Sequence, residues 1–230
     1  MPFTPEQFFD VFRRYNTSVW PMQWVLAGLG VLAVLVALQR STRATRVVSG
    51  ILASLWLWMA LGYHLAFFAS INRAAILFAA AFLVETGIFL WAANRPARLR
   101  LDPRLDGRGI IGGAIIAFAL VGYPILSSAV GHRYPAMPTF GLPCPTTMLT
   151  LGLLLWIEPP IPRRLAAIPV VWSIIGGIAA ARLGAQEDYA LLVSGLLTWA
   201  VLITGNRRRR VVAPLAPRQA EPIRPVDSVY

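Results

Sequence analysis

The sequence predicts an all-α protein, a polytopic integral membrane helix bundle with seven transmembrane helices and six as the fallback count. Three observations carry this. The 230 residues are 57% hydrophobic and 13% charged, too apolar for a soluble domain of this length. The apolar residues fall in long runs separated by short loops. All 21 basic residues are arginine, and the arginines concentrate in alternate loops.

Residues 1–18 come first. Thr4 can cap a helix, Pro5 suits its first position, and Gln7 stands where a capping box needs it. Phe8, Phe12 and Tyr15 recur at helical spacing, with Phe9 and Val11 widening the apolar side. The spacing predicts an amphipathic interfacial helix lying on the membrane, or packed across the bundle end. Residues 19–206 form the membrane domain. Its apolar runs lie at about 19–38, 47–70, 73–93, 109–130, 139–157, 165–183 and 189–204. Most reach the roughly 20 residues needed to span the hydrocarbon. The fifth is the least regular for its prolines and the seventh the shortest. Residues 207–230 read as a basic, proline-rich, disordered cytoplasmic tail, since they cannot bury enough apolar area to offset their ordering entropy.

Arginine placement sets the orientation. One set of loops holds Arg40, Arg43 and Arg46, then five arginines from Arg95 to Arg108, then Arg163 and Arg164, then Arg207 to Arg210. The alternating set holds only Arg73, Arg133 and Arg182. The richer set is cytoplasmic by the positive-inside rule, so the N-terminus is outside and the C-terminus is cytoplasmic. Arg13 and Arg14 run against the rule, but Glu6 and Asp10 share their helix. The net charge of +11 is an orientation signal rather than a nucleic-acid patch, because the arginines sit between apolar runs. The expected partner is the lipid bilayer, with a small solute or ion, a second copy or a membrane partner besides, and no nucleic acid. The expected location is a membrane, crossed several times. No signal peptide is expected, and the single cysteine excludes an internal disulfide.

Lipid-embedded helices associate through close packing of small residues. Gly109, Gly113 and Ala117 make one such stripe in the fourth run; Ser173, Gly177 and Ala181 make another in the sixth, with Gly176 and Ala180 beside it. Pro124 and Pro169 should bend their helices.

The most site-like segment is Pro138 to Trp156. Pro143-Cys144-Pro145 predicts broken or strained backbone at the mouth of a helix, with Thr146 and Thr147 placed to satisfy freed carbonyls. Glu85 is the only acid inside a run, hence a candidate proton or cation relay, or else a neutral interhelical hydrogen-bonding group. His64 lies about 9 Å below the outer end of the second run at 1.5 Å per residue. Antiparallel threading brings His64, Tyr63, Tyr123, Cys144, Thr146 and Thr147 to one outer layer. His132, Asn72, Arg133, Glu187 and Asp188 fall just above it. A metal site of His64, His132 and Cys144 is a further reading, since such ligands favour copper or zinc. So is an enzyme with nucleophilic Cys144 and His64 as base; the main expectation is no enzyme and no cofactor. No nucleotide, metalloprotease or nucleophile-elbow motif occurs.

Two stretches, FTPEQFFDVFRRYNTSVWPMQW and HRYPAMPTFGLPCPTTMLTLGLLLW, resemble an uncharacterised family of small bacterial multi-span proteins, loosely labelled permeases. Pro143 to Thr147 is the most specific portion. The resemblance implies a membrane bundle and carries no catalytic residue. Seven spans with the N-terminus outside also match small carriers built from two three-helix repeats around a linking helix. The functional expectation is a transporter or permease for a small solute or ion, with solute entering past His64, Tyr123 and Cys144. A non-transporting sensor, scaffold or assembly partner is the alternative.

Overall fold

A computed structural model describes residues 2–212, leaving aside the side chains of Arg98 and of residues 205–212. The described residues form helices and two isolated β-bridges, with no strands. The helices are α1 (Pro5–Ser18), α2 (Met22–Ala37), α3 (Thr42–Ser70), α4 (Ala75–Asn94), α5 (Gly107–Ala129), α6 (Pro143–Leu155), α7 (Arg164–Leu183) and α8 (Tyr189–Val212). Within α3 and α5 the chain widens into π-helical turns, Met59–Leu65 and Phe118–Gly122. The second lies just before Pro124, whose ring would otherwise clash with the carbonyl four residues back.

Each of the seven apolar runs carries one helix, α2 to α8. Five are long and apolar enough to cross a membrane: α3, α4, α5, α7, and α8 taken with the turn before it. The pair α1–α2, bent by 89°, makes a sixth if it is one span. Helix α6 has only 13 residues, about 20 Å of rise, against roughly 30 Å of hydrocarbon. Burial accounts for this. Every residue of α6 except Cys144 is buried, enclosed by α5, α7, α8 and α2. A helix that meets protein on all sides need not match the thickness of the lipid.

The start of α6 corrects one expectation. Pro143 and Pro145 do not break the backbone. They occupy the first turn of a regular helix, where their missing N–H groups have no intrahelical partner anyway.

Helix α1 has the expected capping box. Thr4 Oγ1 accepts from Gln7 N at 3.3 Å, and Gln7 Oε1 accepts from Thr4 N at 2.9 Å. Of its two expected placements, the fold shows the one across the bundle end. Phe8, Phe12 and Tyr15 pack into a cluster with Tyr63, Phe68 and Leu183. Trp58 Nε1 donates to Tyr15 Oη at 2.8 Å. Asn16 ties the corner between α1 and α2 to the loop before α6, donating to the carbonyls of Pro135 and Met137 at 2.7 and 2.8 Å.

The small-residue stripe of α5 is rotated from the one expected. On α5 the buried row is Gly109, Gly112 and Ile116. A Cβ on Gly112 would lie 2.8 Å from the carbonyl oxygen of Gly152 on α6, whereas one on Gly113 would meet only Trp156 at 3.8 Å. On α7 the expected Ser173, Gly176, Gly177 and Ala180 are buried, and of the named residues only Ala181 is exposed. Ala181 and the α5 stripe depart because an i, i+4 row drifts around a helix of 3.6 residues per turn.

Loops gather at two ends. At one, the Arg40 guanidinium donates to the Pro103 carbonyl at 2.6 Å, Asp102 N donates to Trp156 O at 2.7 Å, and Glu158 N donates to Arg100 O at 2.8 Å. Arg104 pairs with Asp102, and Arg164 stacks over Trp91 with 3.6 Å to the ring centroid. The opposite end carries α1, residues 66–74, residues 130–142 and the turn Gln186–Asp188. Helix α8 continues to Val212, beyond the Arg207 at which the tail was expected to begin; residues 213–230 lie outside the described part.

Candidate functional site

Beneath α1 lies a pocket of about 230 Å³. Phe8 and Phe12 of α1 face Tyr63 and His64 of α3, Cys144 of α6 and Asp188 across it. Three of the eight candidate residues, Tyr63, His64 and Cys144, thus border one cavity. Tyr123 reaches its wall through Asp188. Thr146, Thr147, His132 and Glu85 are absent from the described lining.

Tyr63 and His64 are consecutive, yet both are buried. In a regular α-helix neighbours diverge by about 100°; the π-helical turn Met59–Leu65 widens the arc that faces inward. Five rings surround the imidazole of His64. Their centroids stand 4.8 Å (Phe82), 5.2 Å (Tyr63 and Trp172), 5.8 Å (Phe78) and 5.9 Å (Phe68) away. Neither ring nitrogen has a hydrogen-bond partner.

The acids are delivered by the end of α7. Gly184, at φ +75°, caps that helix in the left-handed region and turns the chain inward at Gln186–Asp188. Tyr123 Oη donates to Asp188 Oδ1 at 2.5 Å, and Cys144 borders the same pocket as Asp188. Glu187 forms a neighbouring unit. Its Oε1 accepts from Ser127 Oγ at 3.1 Å and meets His132 Nδ1 at 2.9 Å. Phe9 packs on the His132 ring at 4.3 Å between centroids. The sequence reading set Glu187 and Asp188 just above the candidate layer; the fold draws both into it, and Ser127 with them. Paired acids opposite a histidine were the available signal, but the inward turn at Gly184 was not readable.

The threonines do different work. Thr146 Oγ1 accepts from Gly141 N at 3.2 Å, and its carbonyl accepts from Thr150 Oγ1 at 2.9 Å. Thr150 Oγ1 in turn accepts from Trp56 Nε1 at 3.1 Å. This chain ties α6 to α3. Thr147 Oγ1 is buried without a partner. Glu85 is fully buried on α4, and neither carboxyl oxygen has a partner. Phe82, one turn away on α4, packs on Trp172 at 4.9 Å, and neither it nor Glu85 borders the pocket.

Two alternatives find no geometry. Among the described residues, no group of three or more His, Cys, Asp or Glu side chains could hold a metal ion, and His132 pairs with Glu187 rather than meeting His64 and Cys144. A cysteine nucleophile needs its base within hydrogen-bond reach. The His64 nitrogens have no hydrogen-bond partner, so none joins Cys144 to His64.

Fold and site together define an all-helical bundle with several helices of membrane-crossing length and a lidded, mostly apolar pocket at one end. The chain belongs to DUF6064, a family of unknown function, which it matches over residues 5–213. No curated protein and no solved structure matches it. An uncharacterised family is what the two quoted stretches led one to expect.

Proposed function

We propose that the protein is a seven-pass protein of a bacterial inner membrane and a transporter or permease for a small solute. The observation that carries this is the pocket, which joins an apolar wall to a few converging polar groups, the usual composition of a small-molecule site. Membrane residence is supported by the outward faces of the helices. Leu77, Val84, Ile125, Val171 and Val193 are all exposed, an arrangement a water-soluble surface avoids. In this reading α2 and α6 complete the seven spans, the arginine-rich end faces the cytoplasm, and α1 covers the outer mouth. Solute enters beside α1, and Glu85, deeper on α4, relays a proton or cation. Reconstitution into proteoliposomes tests this. Solute uptake coupled to internal pH is expected for the wild type and lost in Glu85→Gln; unchanged uptake in that variant removes Glu85 from the mechanism.

A second reading, a membrane sensor that binds without transporting, is favoured by the packed rings of Phe78, Phe82 and Trp172 below the pocket. Saturable binding with no flux in the same vesicles would select it.

A further inference from the structure

The pocket's walls narrow the kind of solute. No arginine borders it among the described residues, although the chain carries 21 basic residues. Its one carboxyl group is Asp188, which already accepts from the Tyr123 hydroxyl. An anionic solute would meet that carboxylate with no cation to offset it. Much of the remaining wall is aromatic: Phe8, Phe12, Phe68, Phe78 and Trp172 all border the cavity. Such rings hold an apolar body and also attract a cation over their faces.

His64 adds an independent observation. It borders the same cavity, is fully buried, and offers two ring nitrogens without protein partners. A neutral imidazole presents one acceptor and one donor. With Asp188, the pocket therefore offers two acceptors to a ligand that donates more than one N–H. At about 230 Å³ it falls below the roughly 300–1,000 Å³ of sites for drug-sized ligands.

We propose that the pocket binds a small primary or secondary amine with an aromatic or branched apolar body, its ammonium facing Asp188 with His64 as second acceptor and its body against the phenylalanine wall. This rests on the reading of the pocket as a solute site. Tyr123 acts as a positioning residue, its hydroxyl holding one oxygen of the Asp188 carboxylate.

The test uses the full chain in nanodiscs of zwitterionic lipid and three probes of one shape: 2-phenylethylamine, 2-phenylethanol and 3-phenylpropionate. Binding is read by calorimetry and by tryptophan fluorescence, to which Trp172 in the wall responds. The amine is expected to bind about tenfold or more tighter than the alcohol, the worth of a hydrogen bond to a charged group, and the carboxylate weakest. Asp188→Asn should abolish the amine's advantage and leave the alcohol's affinity in place. If that variant does not fold, the wild-type series decides alone. An amine no tighter than the alcohol, or a carboxylate tighter than both, overturns the amine assignment and leaves a solute pocket standing. No saturable binding by any of the three overturns the assignment and the solute pocket together.

Discussion

Glu85 and Glu187 are both acids with no exposed surface, and the fold treats them oppositely. Glu187 has Ser127 and His132 on one oxygen; Glu85 has no partner on either. A buried polar group without a hydrogen bond costs about 1–3 kcal/mol in mutational series. Glu85→Met, which fills similar space without the carboxyl, should therefore raise stability by about that amount, seen as a higher unfolding temperature in detergent. A lowered temperature would show that the carboxyl is bonded after all. His132→Ala should act the other way. It strips a partner from a buried carboxylate and should cost about 1–3 kcal/mol, read by the same melt; an unchanged melt would mean that Ser127 alone satisfies Glu187.

The existence of the helices was legible because an apolar run of about 20 residues has few other readings, but their ends were not: α6 is shorter than its run and α8 longer. What each helix faces was not. The residues of α6 look as apolar as those of a lipid-facing span, and only packing reveals it as the enclosed centre. The π-helical turns that set Tyr63, His64 and Tyr123 leave no mark in apolar spacing. The small-residue row of α7 was legible except at Ala181, but that of α5 was rotated by about one position, because a row of small residues does not announce its phase. The α5–α6 crossing makes that difference measurable. Gly112→Ala and Gly152→Ala each push a methyl to 2.8 Å from the opposing backbone carbonyl, so each should destabilise by about 1–3 kcal/mol. Gly113→Ala, with its nearest neighbour at 3.8 Å, should be near neutral, and equal losses at all three positions would refute the observed phase. Helix α1 offers a second test. Its dock includes the bond from Trp58 to Tyr15; Tyr15→Phe should loosen the roof and speed alkylation of Cys144, which borders the pocket. An unaltered rate would mean that α1 does not limit access.

Across the whole molecule, the alternation read from arginines and the grouping of loops agree. The loops predicted to be cytoplasmic hydrogen-bond one another at one end, through Arg40 to Pro103 and Asp102 to Trp156. The loops predicted to be outside meet at the other, through Asn16 to Pro135 and His132 to Glu187. Orientation is therefore one binary choice for the entire bundle rather than a separate choice for each loop. The residues that argued against it, Arg13 and Arg14, both pair with Asp10, and Arg14 also donates to Ser70 at 3.1 Å. Asp10 carries one charge against their two, so these arginines still run against the alternation. Two single-cysteine variants in a Cys144→Ser background are enough to decide. Arg133→Cys, exposed at the pocket end, should react with an impermeant thiol reagent added to intact cells; Arg43→Cys, exposed at the arginine-rich end, should react only after permeabilisation. The reverse pattern would leave the packing and the pocket intact but turn the mouth toward the cytoplasm, so that the same acid and aromatic wall would load solute from inside and the protein would be an exporter.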